Sequence, residues 1–539
     1  MSTARRFLPT AWATLLIGLL LWPLFSPGQL ALRDMLVLDH PALSPSALGF
    51  GNLAARNVPQ DGVLAVLGTF APASWVARGL IVAAAAAGAG GAAWLARRAR
   101  GGGWATAAAM TVVLWNPFVV ERLLQGHWSL VIAAWLLPLI AAAGLSGRAW
   151  VAWLAMWLAA LTPTGGLFAL FTGVATARRH RWWTAGVGVV ACLPWIIPGL
   201  ASASSALSTP ESVAAFAPRA EGLVGTLGSL LGLGGIWNAD AVPASREVGF
   251  AVAGVALFAV LLLGVRRCPP VLLVLGLVGL GGAVAAWLLP EALAWAVSTI
   301  PGAGLLRDSQ KLVMLALPAY AALAGGLRPR WLAGGALVLA LLQVPDAPRA
   351  LQQLTPVEVQ VNEELVAFAD GRDVLFVDRP ALITLADGRV VTDPYAKALS
   401  MVESGALTVD GVLVDPPSER WVAAQEAWAW RDMDTLEELG VGVIVDDDGR
   451  VVGTDAQRRV APLGVALLGL WLLIPVGVLV LRLAGRGGRR GARPRPAGRR
   501  AGGPRGRQGG KQSGKSAGKR DARPAASPRK RTGKDAAED

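Results

Sequence analysis

The stretch "PTAWATLLIGLLLWPLFSPGQLALRDMLVLDH", residues 9–40, begins with an apolar run and ends with four ionisable groups. The run at 9–25 carries no charge, and it is long enough to cross a hydrocarbon core of about 30 Å as a helix. Arg5 and Arg6 precede it, and no small-residue cleavage site follows closely. We therefore interpret it as an uncleaved first membrane span rather than a signal peptide. Either interpretation exports the segment that follows, so its charges lie at a membrane edge.

The composition of the whole chain agrees with a membrane protein. Its 539 residues are 54% hydrophobic and only 16% charged, and the mean hydropathy is +0.50, whereas soluble proteins carry about 25% charged residues. Cys192 and Cys268 lie in or beside apolar runs that we place at different depths. A disulfide framework, a cysteine metal cluster and redox chemistry are therefore not expected.

Apolar runs recur along the chain and predict an α-helical polytopic fold of about twelve spans, within a range of ten to thirteen. Pro163, Gly165 and Gly166 separate the fifth run from the sixth. These two runs are short, so they are either two short spans or a hairpin that dips into the membrane and returns. The predicted spans are 9–25, 75–95, 104–120, 128–145, 150–161, 167–177, 183–197, 248–263, 271–289, 312–326, 331–344 and 463–481.

Charge asymmetry between the connecting loops predicts the orientation. With the amino terminus inside, the predicted cytoplasmic loops before residue 346 contain only basic ionisable side chains apart from histidine. All acidic residues of that region then fall outside, which is the positive-inside pattern of a plasma-membrane protein. Both termini are predicted to be cytoplasmic. The exported acidic residues are Asp34, Asp39, Asp61, Glu121, Glu211, Glu221, Asp240, Glu247, Glu291 and Asp308.

The chain divides into four predicted parts. Residues 1–345 form a membrane domain of about eleven spans with long outer loops at 27–74 and 198–247. Residues 346–460 form an acidic extracytoplasmic domain; 346–459 hold 22 acidic and 10 basic residues, a net charge of −12. Runs such as "DVLFVD" alternate there with helix-like stretches, which predicts a small α/β domain. "VDDDG" is interpreted as a solvated turn rather than a metal site. Residues 461–483 hold the last membrane helix.

Residues 484–539 form the fourth part, a basic cytoplasmic tail. It holds 18 basic and 4 acidic residues and no aromatic residue, so it is predicted to be disordered. Its charge of +14 equals that of the whole protein, so nucleic-acid binding by a folded domain is not expected. Anionic lipid head groups are the expected partner of the tail; an RNA or a protein partner is the alternative.

Two groups of candidate site residues come from the first two outer loops. Arg33 and Asp34 directly follow the first span, and Arg56 and Asp61 lie later in the same loop; these could equally be solvated surface charges. The second group lies in "NPFVVERLLQGHW", 116–128, where a short helix places Glu121 and Gln125 on one face with Arg122 beside it. His127 follows, and we interpret it as a hydrogen-bonding or acid–base group, or a structural one, rather than a metal ligand.

Two further groups lie in later outer loops. In 201–247, Trp237 and Asn238 stand near carboxylates, which suits a sugar ring but also suits an interfacial loop. In "PGAGLLRDSQKLVM", Arg307, Asp308 and Lys311 open the tenth predicted span. A helix start with two cations could bind a phosphate. The same cations could instead pair with Asp308 and lipid head groups.

This layout resembles that of the membrane-embedded GT-C glycosyltransferases, which use polyprenyl-phosphate sugars. The resemblance rests on an acidic residue just after the first span, long early outer loops, many spans and a soluble outer domain near the carboxyl terminus; Asp34 is its only motif-like point. The paired carboxylates usual in that family are absent, because Asp34 and Asp39 are five residues apart. The bias to Ala, Gly and Arg is similar to that of actinobacterial proteins.

The resemblance implies that Asp34 deprotonates the acceptor hydroxyl or holds a divalent metal. A metal is compatible with the expected reaction but is not required for it. Basic groups would stabilise the departing lipid phosphate. Our candidates for phosphate or donor contacts are Arg33, Arg56, Arg122, Arg307 and Lys311. Our candidates for acceptor or supporting contacts are Asp61, Glu121, His127, Trp237, Asn238 and Asp308.

The expected function is transfer of a sugar from a polyprenyl-phosphate donor to an envelope glycan or lipid acceptor on the outer face of the plasma membrane. The alternative is a non-enzymatic protein or transporter that handles lipid-linked envelope glycans. A transporter should place ionisable groups near mid-membrane, and the predicted spans contain few, Arg78 being the clearest. A signalling protein is a third possibility that no motif supports.

Overall fold

The computed structural model describes residues 3–201, 208–409 and 411–491. Among these residues, eight helical segments are long and apolar enough to cross a membrane. The protein is thus a multi-pass membrane protein, as predicted, although the count of twelve spans is not confirmed. The eight segments are Leu8–Phe25, Ala73–Arg98, Gly103–Gln125, Trp128–Leu145, Arg181–Ala201, Pro270–Leu288, Arg330–Leu354 and Pro462–Leu483.

The difference in span number comes from helices of intermediate length. The fifth and sixth predicted runs are the helices Ala149–Ala159 and Pro163–Thr176, and the eighth is Ala251–Leu262. At about 1.5 Å per residue these helices are too short to cross a core of about 30 Å alone. The tenth run begins as a 3-10 helix, Ser309–Ala316, and becomes α-helical only at Leu317–Gly326. The expected α-helix start around Lys311 is therefore wrong.

The remaining helices are shorter or continue the long segments. Two of the membrane-length segments contain an interruption: Gly103–Leu114 precedes Pro117–Gln125, and Arg330–Leu342 precedes Ala347–Ala350. The last helix, Pro462–Gly491, runs past its predicted end at 483; residues of the predicted disordered tail from 492 onward lie outside the described residues. Further helices are Gln60–Leu67, Glu211–Ala215, Gly225–Leu231, Pro290–Thr299, Glu363–Ala369, Tyr395–Ala398, Glu419–Ala429 and Met433–Glu438.

Small residues let the long helices pack closely. Ala73–Arg98 lies against Trp128–Leu145, and a Cβ added to Gly91 would fall 2.4 Å from the backbone nitrogen of Leu139. Without a hydrophobic driving force between helices in lipid, such close backbone approach is a major source of association. The many alanines of Ala73–Arg98 serve the same purpose, since that helix buries Ala77, Ala84 and others against its neighbours.

The segment after the eleventh predicted span contains a small mixed sheet. Its order is Val451–Gly453, Val441–Val445, Asp373–Phe376 and Ser400–Met401. Asp373–Phe376 pairs in parallel with both neighbours, and Val451–Gly453 is antiparallel to Val441–Val445. "DDDG" forms the turn between these last two strands, as predicted. Two hairpins complete the α/β part: Leu382–Thr384 with Val390–Thr392, and Leu407–Val409 with Val412–Asp415.

The stretch after the first span is a tight hairpin rather than a loosely solvated surface segment. Leu30–Leu32 pairs antiparallel with Met35–Val37, all six residues are buried, and Leu32 lies opposite Met35. Arg33 and Asp34 are therefore the two residues of the turn. Arg33 adopts a φ of 49°, in the left-handed region that such two-residue hairpin turns need. Its backbone N–H donates to the carbonyl of Val390 at 2.8 Å, which joins the hairpin to the α/β part.

Candidate active site

The hairpin turn presents Asp34 to the end of a short buried helix, Pro117–Gln125. That helix starts at Asn116, whose side chain accepts a hydrogen bond from Val119 N at 3.0 Å, and Pro117 occupies its first position. It ends at Gly126, with a φ of 93°. A Cβ at Gly126 would fall 2.2 Å from Met35 N. Glycine is thus required for the hairpin to dock here, and the docking brings Gln125 and His127 to Asp34.

Two side chains donate hydrogen bonds to the same carboxylate oxygen of Asp34. Gln125 Nε2 lies 2.9 Å and His127 Nε2 lies 3.0 Å from Asp34 Oδ2. Gln125 is itself oriented by Asn238, whose Nδ2 donates to Gln125 Oε1 at 2.6 Å. The Asp34 side chain keeps 46% of its surface exposed, and no hydrogen bond to its Oδ1 occurs among the described residues. Oδ1 is therefore accessible to a ligand.

The other ring nitrogen of His127 fixes its protonation state. Arg122 Nη1 lies 3.1 Å from His127 Nδ1, and a guanidinium can only donate. Nδ1 must then be the acceptor, so the proton is on Nε2 and points at Asp34. A second proton on Nδ1 would face the guanidinium. Burial lowers the pKa of His127, Asp34 raises it, and Arg122 and Lys311 lower it further, so that the net shift is downward. The imidazole is neutral.

Arg122 is anchored in turn by a buried carboxylate. Its Nη1 and Nη2 donate to the two oxygens of Asp308 at 2.6 and 2.7 Å, and its Nε donates to Gln310 Oε1 at 3.1 Å. Arg122 has no exposed side-chain surface and Asp308 only 5%. Lys311 Nζ lies 3.3 Å from Asp308 Oδ2 and keeps 21% of its side chain exposed. The network therefore ends in a cation that a ligand can reach.

The environment keeps Asp34 ionised. Burial by itself would raise the pKa of Asp34, but the hydrogen bonds from His127 and Gln125 and the charge of Lys311 together lower it below its usual value. At neutral pH the carboxylate is therefore an anion with one oxygen occupied by two donors. Such an arrangement can accept a proton at Oδ1 without moving the rest of the network.

A second cluster of cations gathers around Asp415, a residue for which sequence reasoning gave no role. Arg307 donates to its two oxygens at 2.6 and 3.0 Å, and Arg56 Nη2 lies 3.4 Å from Oδ2. Arg56 keeps 58% of its side chain exposed, against 9% for Arg307. The only sequence signal for Asp415 was its position at the end of the strand "VLVD". That position does not indicate which distant residues contact it.

Several predicted site residues lie outside the network that runs from Asp34 to Lys311. Glu121 accepts from Ile236 N at 3.1 Å and is fully buried near the buried pair of Glu221 and Arg246; its role in the structure is to hold the loop that carries Asn238. Trp237 stacks edge-on against Phe216 at 4.6 Å between ring centroids.

Arg33 and Asp61 also have partners elsewhere. The Arg33 guanidinium donates to the carbonyls of Leu124 and Asp240 at 2.6 and 2.7 Å, so it secures the hairpin turn against the helix end. Asp61 pairs with Lys397 at 2.6 Å. Asp34, Arg122, His127, Asp308 and Lys311 are thus the predicted residues that the structure joins directly.

A narrow apolar groove of about 230 Å³ begins beside the second cluster. Arg307, Ser309 and Glu291 are the charged or hydroxyl-bearing residues of its lining, and the rest is built mainly from apolar side chains within 210–218 and 286–294. A groove of this composition suits an acyl or prenyl chain with an anionic head at its cationic end.

The residues around Asp34 do not form a usual metal site. Gln125 and His127 present N–H donors to it, whereas Mg²⁺ and Mn²⁺ prefer sets of oxygen ligands. Over the described ranges, no group of three or more His, Cys, Asp or Glu side chains is arranged to hold a metal.

The fold defined by these elements is similar to that of a solved membrane glycosyltransferase, which agrees with the predicted resemblance at the level of fold. It is similar to the arabinofuranosyltransferase AftD from Mycobacteria, with a TM-score of 0.51 and 18% identity over 87% of this chain and 37% of AftD. The structure of the AftD mutant R1389S, class 2, gives a TM-score of 0.49 and 17% identity, over 84% of this chain and 38% of that one. The chain thus spans well under half of AftD. No protein-family model and no curated protein matches the sequence.

Proposed function

We propose that this protein is an inverting membrane glycosyltransferase that takes a sugar from a polyprenyl-phosphate donor. The acceptor would be an envelope glycan or lipid at the outer face of the plasma membrane. The observation that carries the proposal is the continuous network from Asp34 through His127 and Arg122 to Lys311. It places an ionised carboxylate with a free oxygen near cations that a phosphate can reach.

Asp34 acts as the general base in this proposal. The acceptor hydroxyl attacks the anomeric carbon, the bond from that carbon to the phosphate oxygen breaks, and the hydroxyl proton passes to Asp34 Oδ1. In an oxocarbenium-like transition state the proton is lost as the new bond forms, so a weakly basic carboxylate is sufficient. His127 and Gln125 would hold the carboxylate in position and are positioning residues.

The leaving phosphate meets fixed positive charge. The group of Arg122, Lys311 and Asp308 has a net charge of +1. The group of Arg56, Arg307 and Asp415 also has a net charge of +1. Lys311 and Arg56 are the more exposed members, so these two would contact the phosphate. Preorganised charges of this kind stabilise the transition state because they need no reorganisation during reaction.

The apolar groove supports a lipid-linked donor. Arg307 lines the groove and also binds Asp415. A prenyl chain in the groove would therefore place its phosphate beside the cations of the second cluster. The outer-face location follows from the arginine-rich loops that we place inside.

Release of polyprenyl phosphate from the purified full-length protein tests the proposal. The donors would be polyprenyl phosphates carrying arabinofuranose, mannose or glucose, with a mixed envelope glycan fraction as acceptor. Asp34→Asn should slow release by about 10²- to 10⁴-fold. Asp39→Asn is the matched control, since Asp39 lies in the same loop and bonds Ser74. Full activity in Asp34→Asn, or no release from any donor, would contradict the proposal; the second result would favour a non-enzymatic role.

A further inference from the structure

A large cavity lies between the first loop and the α/β part, apart from the lipid groove. Its volume is about 730 Å³, within the range of sites that bind small molecules and short oligomers. Residues of 36–64 form one wall and residues of 376–459 form the other. Asp61 and Lys397 close one side of it with their ion pair at 2.6 Å.

The lining of this cavity is polar but has no net charge. Five acidic and five basic side chains line it. Most of them are already paired across or along the wall, as in Arg379 with Asp393 at 2.6 Å. An anionic ligand would find no excess of cations here, and a lipid chain would bury these charges unfavourably. A neutral ligand with many hydroxyl groups matches the lining.

Two carboxylates of the lining are left for a ligand, of which Glu419 is exposed, whereas Glu403 is half-buried. Its backbone is held by Asn52, since Glu403 N donates to Asn52 Oδ1 at 3.3 Å. Among the described residues, its carboxylate makes neither a hydrogen bond nor an ion pair. Burial raises the pKa of Glu403 to about 7, against the effect of Lys397. The group can therefore accept or donate a hydrogen bond to a sugar hydroxyl near neutral pH.

The cavity is connected to the candidate active site through shared residues. Arg56 and Asp415 line the cavity and also form the second cationic cluster with Arg307. The aromatic side chains of Phe376 and Trp421 line it as well, and aromatic faces suit the apolar faces of sugar rings. A chain of sugars in the cavity could thus extend from these rings toward Asp34.

We infer that this cavity binds a neutral oligosaccharide, with Glu403 as a hydroxyl-binding residue, and that this oligosaccharide is the acceptor of the transfer proposed above. The inference rests on that proposed function. It narrows the acceptor to a neutral glycan rather than a lipid or an anionic polymer.

Saccharide binding to the full-length protein in lipid nanodiscs, without any donor, tests the inference. The probes are an oligoarabinofuranoside and an oligomannoside, with a heparin oligosaccharide as the anionic comparison. Glu403→Ala should weaken binding of a neutral probe by about tenfold or more, and Glu403→Gln should restore most of it. Ala54→Trp, which fills the cavity, should abolish binding. Asp448→Asn in the exposed turn should change nothing.

The possible outcomes separate this inference from the proposed function. Equal affinity in Glu403→Ala and the unaltered chain, preference for heparin, or no saccharide binding would overturn the inference. Turnover that depends on Asp34 but ignores Glu403→Ala and Ala54→Trp would also overturn it, while the proposed function would stand. Binding that is sensitive to Glu403 without any turnover would support the saccharide site and contradict the transferase, and with it the role of the saccharide as acceptor.

Discussion

Replacement of His127 by alanine should move the acidic limb of the pH–rate profile to higher pH. In the unaltered protein the hydrogen bond from His127 Nε2 to Asp34 Oδ2, at 3.0 Å, helps to lower the pKa of Asp34 against the opposing effect of burial. A hydrogen bond to a charged group contributes about 1.5 to 3 kcal/mol. Since about 1.4 kcal/mol corresponds to one pKa unit, the pKa of Asp34 should rise by about one to two units.

The direction of this shift in the pH–rate profile depends on which protonation state of Asp34 is active. The base must be deprotonated, so activity falls as pH drops through its pKa. Because the pKa of Asp34 is lowered, that loss occurs at a lower pH in the unaltered protein than is usual for an aspartate. Without the His127 donor, only Gln125 and Lys311 oppose the effect of burial on the pKa of Asp34, and the loss should begin at a pH higher by about one to two units.

The assay is kcat/KM for polyprenyl phosphate release between pH 3 and pH 8. His127→Gln should show a smaller shift, because an amide can still donate to Asp34. His40→Gln is the matched control. His40 lies in the same loop as Asp34, and among the described residues its side chain forms a hydrogen bond only with the carbonyl of Gly68. An acidic limb at the same pH in His127→Ala and the unaltered protein would refute the assignment of Asp34 as base and His127 as its donor.

Substitutions at three further positions test other parts of the structure. Lys311→Met should lower kcat by about 10- to 100-fold while Lys311→Arg retains more activity, as kinetics with a saturating donor would show; an equal loss in both would argue against a charge effect. Gly126→Val should lower the unfolding temperature and abolish activity, because its Cβ would meet Met35 N at 2.2 Å; a normal melting curve would contradict the hairpin docking. Arg246→Met should cost about 3 to 5 kcal/mol by leaving Glu221 buried without its partner, measured as lost expression and a lower unfolding temperature; unchanged stability would show that the pair is dispensable.

The membrane class could be predicted because it depends on local composition. Runs such as 271–289 are apolar over their whole length, and the structure has a helix there, Pro270–Leu288. The number of spans could not be predicted, since runs like 150–161 have the composition of a span and the length of a partial one.

Part of the candidate site was also visible in the sequence. Asp34 stood out as the first acidic residue after the first span, and Lys311 as one of two lysines before the tail. Their link through His127 and Arg122 was not visible, because it depends on a hairpin turn that meets a helix end about ninety residues later. Asp415 was missed for the same reason, since its partners are more than a hundred residues away.

Glu121 shows that neighbouring residues of one candidate group have different surroundings. Its exported position beside Arg122 made it a candidate for chemistry, yet it is fully buried and holds Ile236 N. On the short helix Pro117–Gln125, adjacent residues point in different directions, so Arg122 reaches the site while Glu121 packs against the loop that carries Asn238. Sequence proximity alone did not distinguish these two roles.

The most direct measurement of the central claim is the rate of sugar transfer from a labelled polyprenyl-phosphate donor, followed together with the release of polyprenyl phosphate. We expect equal amounts of transferred sugar and released lipid, inversion at the anomeric carbon, and a rate about 10²- to 10⁴-fold lower in Asp34→Asn than in Asp39→Asn. Equal rates in these two variants would contradict the central claim.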